Sequence, residues 1–341
     1  DMGYEHGERL REQIRTLCEE RIRLLCAAFS GSKDAARDQV RQIGRRMWDL
    51  HEAYAAELAD ELVGIADGAD VDPVDLLLMN GYADFADVMQ GRAFGGCTAF
   101  WTGQEMAANG MADLGQTEVT TLSHTVALRL WPEDDAPAVL MLSVHGCLGL
   151  AGVNEAGIAV ITNKLSSNDT REGVNFVFLV RKALRQFTLE SAVRSLVTAP
   201  RASGHNYIVA DCLGRAVNVE TSAQQVSVTL LERGYYVHTN HYLSPTLRTL
   251  ERLQPPQALL SSEARRERMR ALLDKHRGEI EPRVLRTLLA DHEGETDAIC
   301  RHAETIHDMA ACAAAILSPQ ERQMWVVQGN PRKSSMLLLR F

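Results

Sequence analysis

Cys97 stands directly behind two glycines and ahead of a β-type run, in Gly95-Gly96-Cys97-Thr98-Ala99-Phe100. A cysteine thiolate is a strong nucleophile, and a glycine pair admits backbone conformations that other residues resist. Strain at the Gly96–Cys97 peptide is what an intramolecular N-to-S acyl shift would exploit. If the Cys97 sulfur took the Gly96 acyl group and water then released it, Cys97 would become a chain start with a free α-amine. Such an amine has an ordinary pKa of about 7.7 to 8.0, so near neutral pH it can take the thiol proton and later return it to a leaving group. One residue would serve as nucleophile and base. Read without context, the hexapeptide more often describes a small buried hydrophobe in a strand.

Other chemistries find less support. The histidines His124, His145, His205, His238, His241, His292 and His302 lack the carboxylate or cysteine spacing that would complete a ligand set, so no metal is expected. The chain has neither a Gly-x-Ser-x-Gly elbow nor a phosphate or dinucleotide loop, and no cofactor is expected. Its seven cysteines are odd in number and contain no Cys-x-x-Cys pair, which favours a reducing, cytoplasmic setting. A formal charge of −9 supplies no basic stripe for nucleic acid. The longest apolar stretches, 138–144 and 336–339, fall far short of the roughly 20 residues that span a bilayer, so they read as buried strands and no membrane is expected. With 45% hydrophobic and 24% charged residues, the chain has the balance of a globular enzyme rather than a disordered segment.

The elements that must carry Cys97 follow from periodicity. From Tyr4 to about Asp67 the pattern is helical, with Leu58, Leu62 and Ile65 on one face and Gly68 as the expected stop. Asp72-Pro73 reads as an N-cap and first-turn pair opening another helix. After Gly96 the pattern turns to short β-type runs at 97–102, 126–130, 139–144 and 158–162. Helical period returns over 174–199. Strands are then expected at 207–210 and 216–220 around the turn 211–215, and at 226–231 and 235–239. Pro255-Pro256 precedes a helix over about 262–275, and strands at 324–327 and 336–339 close the chain. Helices and strands in blocks predict a sheet packed between helices, not a doubly wound parallel fold.

Taken together, these segments resemble the acyl-coenzyme A:6-aminopenicillanic acid acyltransferase family of N-terminal nucleophile enzymes. The likeness spans nearly the whole chain and rests on shared order: Gly3-Tyr4-Glu5-His6-Gly7, Gly96-Cys97-Thr98-Ala99-Phe100, the glycine-rich turn 149–157, Asn163-Lys164-Leu165, His205-Asn206-Tyr207, His238-Thr239-Asn240-His241-Tyr242, Asp291-His292 with Cys300-Arg301-His302, and Met324-Trp325-Val326. It implies an α+β, four-layer αββα sandwich, cut between Gly96 and Cys97. Residues 1–96 would form a mainly helical segment that stays bound to the catalytic part, 97–341. By the resemblance, Asn240 donates to the tetrahedral oxyanion and Arg301 holds a carboxylate or fixes the nucleophile's surroundings. Thr98 supports the nucleophile through its hydroxyl.

The resemblance also implies small-molecule partners: an acyl donor, with acyl-coenzyme A among the candidate substrates, and water or an amine as acceptor. One departure stands out. Where the family reads Gly-Gln-Asn-Trp-Asp, this chain has Gly115-Gln116-Thr117-Glu118-Val119, so Val119 replaces the expected carboxylate. Glu118 is the nearest substitute, but a one-residue slip in a strand turns a side chain to the other face. The competing expectation is therefore an uncleaved, catalytically silent relative that binds acylated ligands.

Overall fold

The computed structural model describes residues 2–89, 96–120, 124–294, 297–301 and 310–341, with 118–120 described by their backbone alone. Six helices come first: α1 (Met2–Arg9), α2 (Arg11–Cys26), α3 (Lys33–Tyr54), α4 (Ala56–Ala69), α5 (Pro73–Asn80) and α6 (Tyr82–Val88). Strands β1 (Ala99–Thr102), β2 (Asp113–Thr120), β3 (Thr125–Leu130), β4 (Val139–Val144), β5 (Ala151–Asn154) and β6 (Ala159–Leu165) follow. Next come α7 (Phe176–Leu184), α8 (Leu189–Thr198), β7 (Gly204–Ala210), β8 (Ala216–Thr221), β9 (Val226–Leu231) and β10 (Tyr235–His238). The chain finishes with α9 (Pro245–Arg248), α10 (Pro256–Lys275), α11 (Pro282–Leu289), β11 (Ala310–Ser318), β12 (Gln323–Gln328) and β13 (Met336–Arg340).

The strands form two antiparallel sheets. One has six strands in the order β10-β1-β2-β11-β12-β13, the other seven in the order β3 through β9. Side chains alternate across a strand, and here both faces of each sheet are covered. In the seven-stranded sheet Leu140, Leu142, Ile161 and Ile208 face the other sheet, where they meet Trp101, Ala313, Ala315 and Leu317. Their neighbours Val139, Met141, Val160 and Val209 face a core shared with helices α2 to α8. On the far side, Phe100 and Ile316 pack against Met269 and Leu273 of α10 and Leu285 and Leu288 of α11. Helices, sheet, sheet and helices therefore make the expected αββα sandwich, and burial on both faces explains why the strands read as continuous apolar runs.

The local signals held in most places. Asp72 caps α5 through a 2.8 Å bond from Val74 N–H to its carboxylate, with Pro73 in the first turn. Asp211 Oδ1 accepts from the N–H groups of Leu213 and Arg215 in the β7–β8 turn. Gly68, however, does not end α4. The helix runs on to Ala69 and is closed by Asp70 in the left-handed region at φ 56°. Gly68 instead lets α1 approach, since a Cβ there would run into the Tyr4 carbonyl and the Glu8 N–H of α1. The single helical run expected over 174–199 is two helices, and the helix expected from 262 begins at Pro256, whose fixed φ suits a first turn.

Candidate active site

Cys97 lies at the entrance to β1, where the end of the six-stranded sheet meets β6 of the other sheet and one face of α10. It is buried, with 8% of its surface exposed, and Gly96 before it is buried too. Its carbonyl accepts from Arg265 Nη1 at 2.8 Å and from Asn163 Nδ2 at 3.3 Å. Thr98 N–H donates to Thr117 Oγ1 at 3.0 Å, and Thr117 N–H returns a bond to the Thr98 carbonyl at 3.0 Å. The Thr98 hydroxyl accepts from Arg265 Nη1 at 3.0 Å. The nucleophile candidate is thus fixed by its main chain from three elements.

Asn240 sits just past β10, which pairs with β1 so that Ala99 faces His238. Its side-chain Nδ2 donates to the Lys164 carbonyl at 3.1 Å, its Oδ1 accepts from Arg265 Nη2 at 2.9 Å, and its N–H donates to Ser262 Oγ at 2.8 Å. The loop bearing it is gripped by Glu220, which accepts from His238 Nε2 at 2.9 Å, Leu243 N–H at 2.6 Å and Ser244 N–H at 2.7 Å. Burial works against ionising this carboxyl. His238 and the two N–H groups outweigh it and hold Glu220 below the usual carboxylate range.

Arg265 is the residue that sequence reading missed. Only 1% of it is exposed, and its fork joins Cys97, Thr98 and Asn240, all through neutral acceptors. Burial, with the nearby charge of Arg301 adding to it, pushes its guanidinium down to about 10, still protonated at neutral pH. The signal available in the sequence was weak: Arg265 falls in the run Ala264-Arg265-Arg266-Glu267-Arg268, which resembles a solvated helix face. Arg301 is half-buried. Its carbonyl accepts from Ala311 N–H at 3.0 Å, and its Nε has no hydrogen-bond partner. Glu118 lies on β2 opposite Ala313, but its side chain and that of Val119 fall outside the described residues, as do Gly95 and His302.

Several motifs of the sequence reading support the site from behind. Lys164, whose carbonyl receives Asn240, sends its ammonium into a buried cluster, 2.5 Å from Asp87 and 2.6 Å from Ser203 Oγ. Asp84 in that cluster contacts His205 Nε2 and Ser203 Oγ, each at 2.6 Å, and accepts from Phe176 N–H. Burial opposes its charge, yet His205 and Lys164 hold it below the usual carboxylate range. His238 and His241 are engaged by Glu220, the Thr239 carbonyl and Ser262. Among the described residues no group of three or more His, Cys, Asp or Glu side chains is arranged to hold a metal ion. No described helix is long and apolar enough to cross a membrane.

The family model described as acyl-coenzyme A:6-aminopenicillanic acid acyl-transferase matches residues 123–333. The chain belongs to this family. The match begins downstream of Cys97 and includes Asn240, Arg265 and Arg301. The 40 kDa form of acyl-coenzyme A:6-aminopenicillanic-acid-acyltransferase from Emericella nidulans is 24% identical over 307 residues, covering 88% of this chain and 82% of that protein. Among solved structures, a mutant of conjugated bile acid hydrolase from Clostridium perfringens aligns with a TM-score of 0.45 and 11% identity over 72% of this chain and 97% of that one. Penicillin V acylase from Agrobacterium tumefaciens aligns with a TM-score of 0.46 and 13% identity, over 72% and 86% respectively. Family membership places the chain among enzymes of acyl transfer.

Proposed function

We propose that this enzyme is made as a precursor, cuts itself between Gly96 and Cys97, and then carries acyl groups on the Cys97 sulfur. In processing, the sulfur attacks the Gly96 carbonyl, the C–S bond forms as the C–N bond breaks, and water hydrolyses the thioester. Residues 1–96 and 97–341 then remain one body. The core shared by α2 to α6 and the seven-stranded sheet supports their association, as does the Asp84 and Asp87 cluster that joins α6 to Lys164.

In turnover, the freed α-amine takes the thiol proton and the sulfur attacks an amide or thioester carbonyl. The carbonyl oxygen becomes an oxyanion that receives the remaining N–H of Asn240 Nδ2, while Arg301 holds a substrate carboxylate or the surroundings of the nucleophile. The leaving amine or thiol takes the proton, and water or an amine then releases the acyl group from Cys97. The substrate class is a small acylated metabolite, with acyl-coenzyme A among the candidate donors and no cofactor required. The observation that carries this reading is the convergence of Cys97 and Asn240 on one buried arginine.

Intact mass measurement under denaturing conditions, with N-terminal sequencing, tests it. Two fragments, the larger beginning Cys97-Thr98-Ala99, are expected. A single uncut chain that binds acylated ligands without turning them over would instead establish the silent-relative reading, which the Val119 substitution favours.

A further inference from the structure

We infer that Arg265 and Ser262, one turn apart on α10, are positioning residues that set the Asn240 amide for the oxyanion. The inference rests on the role of Asn240 proposed above. A guanidinium has donors and no acceptor, so the atom of Asn240 that lies 2.9 Å from Arg265 Nη2 is the amide oxygen. That contact fixes which way the amide faces. Its Nδ2 must point away from Arg265, where one N–H meets the Lys164 carbonyl at 3.1 Å and the other is left to donate to a ligand. Without the arginine, the amide can turn over and offer an oxygen, which repels an oxyanion.

Ser262 acts on the main chain of the same residue. Its Oγ accepts from Asn240 N–H at 2.8 Å, and its carbonyl accepts from Thr239 Oγ1 at 2.9 Å. Residues three apart on a helix share a face, so α10 holds both the backbone and the side chain of Asn240 from one side. Burying a cation is costly unless it is paired. Among the described residues Arg265 has no carboxylate within ion-pair distance, and its three acceptors are neutral groups of Cys97, Thr98 and Asn240. A cation kept in so unfavourable a place for packing alone would be poorly chosen, because a methionine would fill similar volume at less cost. The fork geometry matches three acceptors at once, which the point charge of a lysine cannot do.

The test uses the processed enzyme with p-nitrophenyl hexanoate as the acyl donor, comparing wild type, Asn240→Ala, Arg265→Met, Ser262→Ala and the two doubles that include Asn240→Ala. Arg265→Met is expected to lower kcat by about 10²-fold, as for loss of an oxyanion donor, with KM changed less than about threefold. The Ser262 double should be no slower than Asn240→Ala alone, and the Arg265 double should lose clearly less than the product of its two single losses, the remainder coming from the Cys97 carbonyl and Thr98 hydroxyl that Arg265 also holds. Losses that multiply in the doubles would overturn the inference alone. Wild-type turnover by Asn240→Ala would overturn the oxyanion role and this inference with it. If Arg265→Met fails to fold, Ser262→Ala, which deletes one hydroxyl, carries the same cycle with an expected loss of about tenfold.

Discussion

The carbonyl of Cys97 lies 2.8 Å from Nη1 of Arg265, although 168 residues separate them in sequence. The contact runs from the six-stranded sheet to the helical layer that covers it, and the same guanidinium reaches Asn240. A change at any of the three residues should therefore register at the other two.

Cys97→Ala should abolish both self-cleavage and turnover, since it removes the sulfur that both reactions use. Cys147→Ala and Cys212→Ala should leave both intact. Cys147 is buried in the helical core and Cys212 lies in the β7–β8 turn. Gel or mass analysis of the purified variants checks the first property and a burst assay the second. Full turnover by Cys97→Ala would remove the mechanism.

Asn240→Asp tests the charge that the oxyanion meets. The new carboxylate would give the buried Arg265 an ion-pair partner, but it would also set an oxygen against the Lys164 carbonyl that Asn240 Nδ2 now meets at 3.1 Å, so the folded state should be about as stable as that of Asn240→Ala. The same charge would face the developing oxyanion, and kcat should fall at least as far as in Asn240→Ala, about 10² to 10³-fold. Thermal melting alongside steady-state kinetics reads both. A variant as active as wild type would contradict the oxyanion role of Asn240.

Most of the architecture was legible in the sequence because many strands carry apolar runs, as at 139–142 and 158–161. β2, β5 and α9 were not among the expected elements, and neither were β11 and α11. β11 reads Ala-Ala-Cys-Ala-Ala-Ala-Ile-Leu-Ser, and alanine has poor strand propensity, yet the strand lies between β2 and β12. There its small side chains fit between sheet and sheet on one face and sheet and helix on the other. α11 is only eight residues long, too short for periodicity to mark it. In the site, Cys97 and Asn240 were proposed from motif order, and the structure brings both to Arg265. Arg265 was hidden because its neighbours Arg266 and Arg268 are partly exposed, and nothing in a string of arginines says which one points inward.

Lys164→Met should destabilise the fold by about 3 to 5 kcal/mol, because it strands the carboxylates of Asp84 and Asp87 in the interior with one cation fewer. Urea denaturation at pH 7 measures the loss. Asp84 also predicts an acid response. Its folded pKa is depressed by His205 and Lys164 against the pull of burial, so its contribution is present above the ordinary carboxylate pKa near 4 and fades as pH falls below it. Asp84→Asn should lack that acid-sensitive part, and equal acid sensitivity in the two proteins would show that Asp84 is not its source.

Asp113 predicts a response of the opposite sign. It lies at the start of β2, 1% exposed, with its Oδ1 lacking a hydrogen-bond partner. Burial pushes its carboxyl up to about 7; a bond with Ser318 works against this and the charge of Glu321 adds to it. Below about pH 4 the folded and unfolded states both hold the proton. Between about 4 and 7 the unfolded chain has released it and the folded one has not, so stability falls as pH rises through that window, on the order of 1 kcal/mol per pH unit. Asp113→Asn removes the titrating group while keeping the shape. It should melt higher than wild type at pH 8 and show no such advantage at pH 4, whereas a difference independent of pH would mean that Asp113 is already ionised in the fold.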